Sequence, residues 1–515
     1  VYLRLYLAPV RREWLTPAAW VAAVAAVLLL VFPLGFPNYD TIYSLLWGRE
    51  LADGLSPDRG AALPPTPHPL TELWGLATSP LGNGAIDLTM IGAYVSLGLI
   101  GYLVYRLGSL WFDRPVGAVA ALIVLTRAPF LSNGLRAYID LPYIALVLAA
   151  LVIETKRPRA GWPVLTLLAL AGLLRPEAWL FSLAYLAYLA LVPGQSDPDR
   201  ADEKTERVPL EPADTQNGGL IRPPFVGARG TLSVPSIGLI VLALAGPVLW
   251  AIFDWITAGS PTYSFTGTRE TVETLERQTG PVDLILYGPR RLGEVLQWPG
   301  MVGAAGGVVL GLAFLRRRSE IGVAAAALAL GAFAVLACAG LAILPRYTML
   351  AAAILAVFAA LGLLGWRLLE PGHPWRRAWQ AFAAVVALMF VTWAPNQYDL
   401  LSRVDTDLTN QSEIESDLGD LADSGAFEPI CLPVSVPNHR AVPRLAFDLD
   451  LRPSRIVSST EQRQPRHGYF LDPASPFVIH NFILDPNDPA RLATPVPPGF
   501  RRVDGNDSWL LYRRC

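Results

Sequence analysis

A chain whose apolar residues come in blocks of bilayer length has few folds open to it. Ala18 to Phe36 reads AAWVAAVAAVLLLVFPLGF without a charge, and a bilayer core of about 30 Å needs roughly 20 such residues per helix. No small-residue cleavage site follows a short apolar core, so this stretch reads as a retained anchor, not a removed signal. Similar blocks recur along the chain, at 83–105, 115–130, 138–153, 161–174, 176–193, 235–257, 297–315, 320–344, 346–367 and 376–394. With 18–35 they predict a polytopic helical membrane protein of about eleven spans. The pairs 115–130/138–153 and 161–174/176–193 are short and read as helices that turn at the outer leaflet. Such breaks are tolerated only where backbone is buried in protein or lines a wet cavity.

Composition agrees. Only 16% of residues are charged, against about a quarter in a soluble domain. The net charge of −2 is spread without a long basic tract, which argues against nucleic-acid binding. No P-loop, Rossmann glycine pattern or CxxC pair occurs.

The basic residues of the short loops set the orientation. Arg4, Arg11 and Arg12, then Arg106 and Arg114, then Lys156, Arg157 and Arg159, then Arg316, Arg317 and Arg318, then Arg367, Arg376 and Arg377 fall in alternate breaks. All lie on one side if the N-terminus is cytoplasmic. An odd number of spans then carries the C-terminus outside. The expected organisation is a multi-pass plasma-membrane domain over 1–394 and an extracytoplasmic domain over 395–515. External loops are expected at 36–82 and 258–296. Residues 194–234, rich in Asp, Glu, Arg and Pro, read as a cytoplasmic linker.

In 395–515 the runs PICLPVSVP, SRIVSS, PFVIHNF and SWLLYRR look like strands, with a helix over HRAVPRLAFDLD. This predicts a small α/β domain of about four strands. Cys431 and Cys515 sit on its first and last strand candidates, either joined by a disulfide or as two free thiols.

The candidate site lies on the outer face. Asp40, in FPNYDTIYSLLWGRELADG (Phe36 to Gly54), follows the first span and opens a short helix. It is either that helix's N-cap or a reactive carboxylate, and the two are compatible. The helix should lie at the bilayer surface or on the outer helix ends. The loop continues as LPPTPHPLTELWG (Leu63 to Gly75), whose prolines hold His68 in a stiff, extended segment. That reads as a rigid connector with an exposed histidine, or as a device that positions the ring over a cavity.

Arg136 in SNGLRAYIDLP, Arg175 in GLLRPEAWLF and Arg346 in AILPRYTML break the positive-inside pattern, each the single base of an outer turn. Arg127, Arg290 and Arg291 are further candidates. Arginine suits phosphate through its planar fork. The competing reading is local pairing, since Asp140 and Glu177 lie close in sequence, or snorkelling to headgroups. Three such residues on the face that carries Asp40 favour a shared anionic site. A lipid-linked phosphate would fit it, with a carboxylate deprotonating an acceptor hydroxyl as the phosphate leaves.

NYDTIYSLLWGRELADG followed by PTPHPLTELWG resembles the first external loop of the GT-C membrane glycosyltransferases, which include protein O-mannosyltransferases and the lipid A aminoarabinose transferase. The likeness rests on Asp40, Tyr43, Gly54 and HPL (His68 to Leu70). RAYIDLP, LLRPEAWLF and LPRY resemble the outer-turn motifs of that superfamily. The resemblance implies Asp40 as catalytic base, Arg136, Arg175 and Arg346 as contacts to the donor phosphate, and Tyr43, His68, Asp140 and Glu177 as further substrate contacts. It implies a polyprenyl-phosphate-linked sugar as donor, an inverting transfer, and an envelope glycan, lipid or protein as acceptor. The acidic pair of the mannosyltransferases is absent, because Tyr39 and Thr41 flank Asp40, and this leaves the use of a divalent metal open. Two other classes compete: a carrier or flippase for lipid-linked saccharides, and a non-catalytic scaffold. A carrier should hold ionisable groups near mid-bilayer, whereas the charges here gather at one face.

Overall fold

The computed structural model of the chain describes residues 8–32, 35–192, 236–482 and 495–515. The segment expected to be a cytoplasmic linker, 194–234, lies outside them.

Among the described residues the apolar blocks are largely helical. The helices are α1 (Ala8–Val31), α2 (Tyr39–Ala52), α3 (Pro69–Thr78), α4 (Gly84–Trp111), α5 (Arg114–Leu125), α6 (Ala128–Gly134), α7 (Asp140–Lys156), α8 (Trp162–Gly172), α9 (Glu177–Leu191), α10 (Ile237–Ala258), α11 (Tyr263–Thr274), α12 (Gly280–Phe314), α13 (Arg316–Cys338), α14 (Met349–Leu364) and α15 (Arg376–Asp423). Among the described residues six helices are long and apolar enough to cross a membrane: α4, α10, α12, α13, α14 with its flanking turns, and α15. The pair α5 and α6, bent by 63°, would make a seventh span. Helices α8 and α9, 11 and 15 residues long, fall short of a full crossing.

Helix α14 is the centre of the bundle, buried almost throughout and packed on α12, α5, α13 and α15. Small residues allow its close crossing with α12: a Cβ on Gly307 would stand 1.9 Å from the carbonyl oxygen of Phe358. Such small-residue contacts let bilayer helices approach where no hydrophobic drive separates protein from lipid. Helix α12 breaks at Gln297, whose φ is 63°, two residues before Pro299. Its first half therefore leaves the direction of the 297–315 span.

Helix α15 is 48 residues long and continues across residue 394 without a break. Its far half buries Ile414, Leu418 and Leu421 in the core of the C-terminal domain, while Val404 and Leu408 still belong to the core of the bundle. That domain adds β1 (Val434–Val436), α16 (Val442–Asp448), β2 (Ile456–Ser458), β3 (Gly468–Pro473), α17 (Pro476–Phe482), β4 (Arg501–Gly505) and β5 (Trp509–Arg514). The sheet has five strands in the order β2-β1-β3-β5-β4, with β1 parallel to both neighbours and β5 antiparallel to both of its own. Two expectations need correction. PFVIHNF is the helix α17, not a strand, and β3 and β4 supply strands that the alternation did not reveal. Cys431 and Cys515 are joined by a disulfide, Cα to Cα 6.2 Å, which ties the end of β5 to the segment entering β1.

Helix α2 does not lie on a bilayer surface. Residues Thr41 to Gly48 and Glu50 are all buried. One side meets α3, so tightly that a Cβ on Gly48 would come within 2.3 Å of the Gly75 backbone. On the other side Ile42, Tyr43, Leu45, Leu46 and Trp47 join the core of the C-terminal domain, against residues of α16. The helix is apolar around most of its circumference, and its polar strip of Thr41 and Ser44 is buried too, so it needs cover on every side, and a bilayer surface gives cover on only one. Polar clamps complete the joint. Glu50 Oε2 accepts from the Asp58 backbone N–H at 2.5 Å, Glu50 Oε1 accepts from Arg452 at 3.2 Å, and Asp58 accepts from the Ser454 N–H at 2.9 Å.

Candidate active site

The residue that starts α2 decides what Asp40 can do. Asn38 is the N-cap, its Oδ1 accepting from the N–H groups of Asp40 (2.9 Å) and Thr41 (3.3 Å). The Asn38 backbone N–H and side-chain Nδ2 both donate to the carbonyl of Arg136 at 2.8 Å. Thr41 Oγ1 donates to the carbonyl of Ala137 at 2.8 Å, a residue held at φ 51°. The helix start is thus bolted to the turn after α6. Asp40 is not the cap, and its carboxylate is turned to another partner: Arg346 Nη1 lies 3.4 Å from Asp40 Oδ2.

Arg346 sits in a 3-10 turn, Pro345–Thr348, just before α14. Its guanidinium lies over the rings of Tyr138 (5.4 Å) and Tyr347 (5.2 Å), and Nη2 donates to the Tyr347 hydroxyl at 3.4 Å. Its Nε is buried without a partner. Arg136 donates from Nη2 to Ser132 Oγ at 2.5 Å and likewise leaves a buried Nε unsatisfied. A buried donor without an acceptor is costly, so both arginines are poised for an incoming acceptor group.

Arg175 is different. Its three guanidinium nitrogens are engaged, Nη1 with Asp140 at 2.9 Å, Nη2 and Nε with Glu177 at 2.6 and 3.3 Å. The plane lies 4.2 Å from the centroid of Tyr347. The Glu177 contact is the local pairing that the short sequence distance allowed; Asp140, four residues from Arg136, pairs instead with Arg175, 35 residues away, and the three form a buried, charge-assisted cluster.

These groups share one cavity of about 1270 Å³, larger than the usual 300–1,000 Å³ of a small-molecule site. Asp40, His68, Arg136, Arg175, Glu177 and Arg346 all line it. Asp140 is 2% exposed and stands behind Arg175. Tyr43, with no exposure, is turned into the core of the C-terminal domain and does not reach the cavity. Of the further arginines, Arg291 reaches the lining, held by Glu294, Gln278 and the carbonyl of Ile343. Arg127 bonds its own helix end at Ile123 and Thr126, and Arg290 is exposed beside Glu294; neither lines the cavity.

His68 is buried, not exposed, with its ring edge-on to Trp250 at 5.5 Å. Burial, reinforced by Arg175, pushes the imidazole down to about 3, so the ring is neutral at ordinary pH. Behind it Glu72 is fully buried and pairs with Arg59 at 3.2 Å, while Arg59 lies on the face of Trp47 at 4.4 Å. Burial pushes Glu72 up to about 7 in spite of that partner. Asp254 also lines the cavity and accepts from both N–H (2.9 Å) and hydroxyl (2.8 Å) of Ser264.

Among the described residues no group of three or more His, Cys, Asp or Glu comes together as a metal-ligand set. The Asp40 carboxylate is paired with the Arg346 guanidinium instead.

The sequence did not mark the rest of the lining. Gln411 and Glu415 of α15, with His439, Arg440, Pro443 and Phe482 of the C-terminal domain, face into the same cavity. These residues come from distant parts of the chain, and only the folded domain brings them together.

No family model matches the chain. No curated protein matches it by sequence. Solved structures do match. The crystal structure of ArnT from Cupriavidus metallidurans bound to undecaprenyl phosphate superimposes with a TM-score of 0.54, covering 97% of this chain and 98% of that one at 13% identity. Its apo state gives a TM-score of 0.51, with 98% of each chain covered, also at 13% identity. The chain shares the overall fold of these structures. The fold extends over nearly the full length of both proteins, so the C-terminal domain is part of the likeness. At 13% identity the match speaks for architecture, and the chemistry must come from the side chains.

Proposed function

We propose that the chain is a membrane glycosyltransferase that moves a sugar from a polyprenyl-phosphate donor to a hydroxyl of a cell-envelope acceptor, on the extracytoplasmic face. The observation that carries this reading is the pairing of Asp40 with Arg346 at 3.4 Å, in a cavity also lined by Arg136 and Arg175. The undecaprenyl phosphate in the structurally similar ArnT supports the lipid phosphate as donor group. The one-sided basic residues support a cytoplasmic N-terminus and an outer cavity, with 395–515 outside.

In this mechanism the donor phosphate enters against Arg346 and Arg136 and satisfies their spare N–H groups. It thereby competes with Asp40 for Arg346, and the carboxylate is released to accept a proton. The acceptor O–H gives that proton to Asp40 as its oxygen attacks the anomeric carbon from the face opposite the phosphate. The bond from the anomeric carbon to the phosphate oxygen breaks, and its electron pair leaves with polyprenyl phosphate, stabilised by the arginines. Attack from the opposite face inverts the anomeric centre. Arg175 is a positioning residue: saturated by Asp140 and Glu177, it braces Tyr347 beneath Arg346.

The test is transfer from radiolabelled polyprenyl-phosphate sugars in membranes carrying the full chain, with Asp40→Asn as control. Label should pass to an envelope acceptor only with the intact carboxylate. Movement of the lipid-linked sugar across the bilayer without transfer would favour the carrier instead.

A further inference from the structure

The part of the cavity lining that comes from the C-terminal region has a chemistry of its own. Gln411 and Glu415 lie one turn apart on α15 and both line the cavity. Glu415 Oε2 is shielded from solvent and has no hydrogen-bond partner, while Gln411 is fixed through Nε2 to the carbonyl of Asn481 at 3.1 Å. His439 is held by a dyad: its Nδ1 lies 3.0 Å from Glu461 Oε1, and the other oxygen of Glu461 accepts from the hydroxyls of Ser458 and Thr460. A carboxylate on one ring nitrogen fixes the orientation of the other. The imidazole ring stands edge-on to Tyr39 at 5.5 Å, and the Arg440 guanidinium lies 5.7 Å from the same ring. Tyr39 immediately precedes Asp40, so this wall begins where the candidate base ends.

We propose that Gln411, Glu415, His439 and Arg440 form the acceptor subsite, and that the acceptor presents a neutral, polyhydroxylated glycan to it. This rests on the transferase reading above. The groups suit hydroxyls, which both donate and accept: a buried carboxyl that accepts and, when protonated, donates, a guanidinium that only donates, an amide and an imidazole that do either. Tyr39 and Phe482, also in the lining, supply apolar faces for the C–H side of a sugar ring. Burial pushes the Glu415 carboxyl up to about 7, and a phosphate dianion beside it would push it higher still, a penalty at neutral pH that an uncharged hydroxyl does not carry. The cavity is roomy enough for donor headgroup and acceptor sugar together.

The experiment uses the full chain in lipid nanodiscs saturated with undecaprenyl phosphate. Fluorescent neutral trisaccharides of hexoses and pentoses, and their monophosphorylated counterparts, are titrated against the wild type and against Glu415→Gln, His439→Gln and Arg346→Ala. Thermal unfolding of each variant confirms that it is folded, and Glu461→Gln, which preserves volume, substitutes for any His439 variant that is not. Neutral trisaccharide should bind, and the two domain-side variants should weaken it about tenfold without changing undecaprenyl phosphate binding. Arg346→Ala should do the reverse. The proposal is overturned if no neutral trisaccharide binds while undecaprenyl phosphate does, if the phosphorylated sugars bind more tightly, or if the domain-side variants weaken both ligands alike. Binding of trisaccharide with no binding of undecaprenyl phosphate would uphold the glycan subsite and sink the transferase reading.

Discussion

The two walls of the cavity are made in different ways. The bundle-side wall is built from turns at helix ends, where Arg136, Arg175 and Arg346 each stand in a short connection and take partners from nearby turns. The domain-side wall is assembled from residues 411 to 482 of the C-terminal region, held by contacts that span the whole domain. The first carries arginines with spare donors, and the second carries a mixed set of hydrogen-bonding groups. Helix α2 belongs to both, because its start is bolted to the turn after α6 and its body lies in the domain core. A domain fused to a bundle through the helix that bears the candidate base is therefore part of the site, not an appendage.

The largest effect expected from this contrast is on the shared element. Asp40→Asn should lower transfer by about 10²–10⁴-fold, the usual worth of a positioned base, while thermal unfolding stays close to wild type because Asn38 retains the cap. Transfer at the normal rate would move the reaction away from the bundle-side wall. Arg175→Gln tests whether that wall is uniform. It leaves Asp140 and Glu177 buried without their shared cation, and the loss of stability should be about 3–5 kcal/mol. Adding Asp140→Asn and Glu177→Gln should restore much of it. A variant that unfolds like the wild type yet loses donor binding would make Arg175 a direct phosphate contact. Arg346→Ala should cost about 10²-fold in kcat/KM and weaken undecaprenyl phosphate binding, with stability little changed because its side chain is partly exposed and its hold on Asp40 is long.

The contrast also explains what could be read from residues alone. Asp40 and the three arginines stood out because an ionisable group at the end of an apolar block is costly and needs a reason. The roles within that set were not legible. Asn38 and Asp40 are both good caps, and the choice between them depends on the carbonyl of Arg136, far off in sequence. Tyr43 matched a motif, yet only the folded domain shows that it faces away from the cavity. PFVIHNF is a short apolar run of the kind whose period cannot separate strand from helix; its contacts to α15, through Asn481, select the helix. Strand β4 is exposed along nearly its full length and so carried no alternation to detect. The His439 and Glu461 dyad joins residues brought together by β1 and β2, which no local pattern announces.

The smallest effect concerns how dry the bundle-side wall is. His68 lines it, and burial holds its pKa at about 3 in the folded chain, against about 6.5 when unfolded. Between those values the unfolded chain binds a proton that the folded chain refuses. Stability is therefore complete above pH 6.5 and declines as the pH falls toward 3, by up to about 1.4 kcal/mol for each unit. Between pH 6.5 and 5.5 that is about 1 kcal/mol. In His68→Gln this contribution is absent, so the difference between the two thermal-unfolding profiles in detergent should widen steadily from pH 7 to 4.5. Parallel profiles would mean that water reaches the ring and lets it charge. The bundle-side wall would then be as wet as an open surface, and its arginines would hold a phosphate far more weakly than buried, unsatisfied donors should.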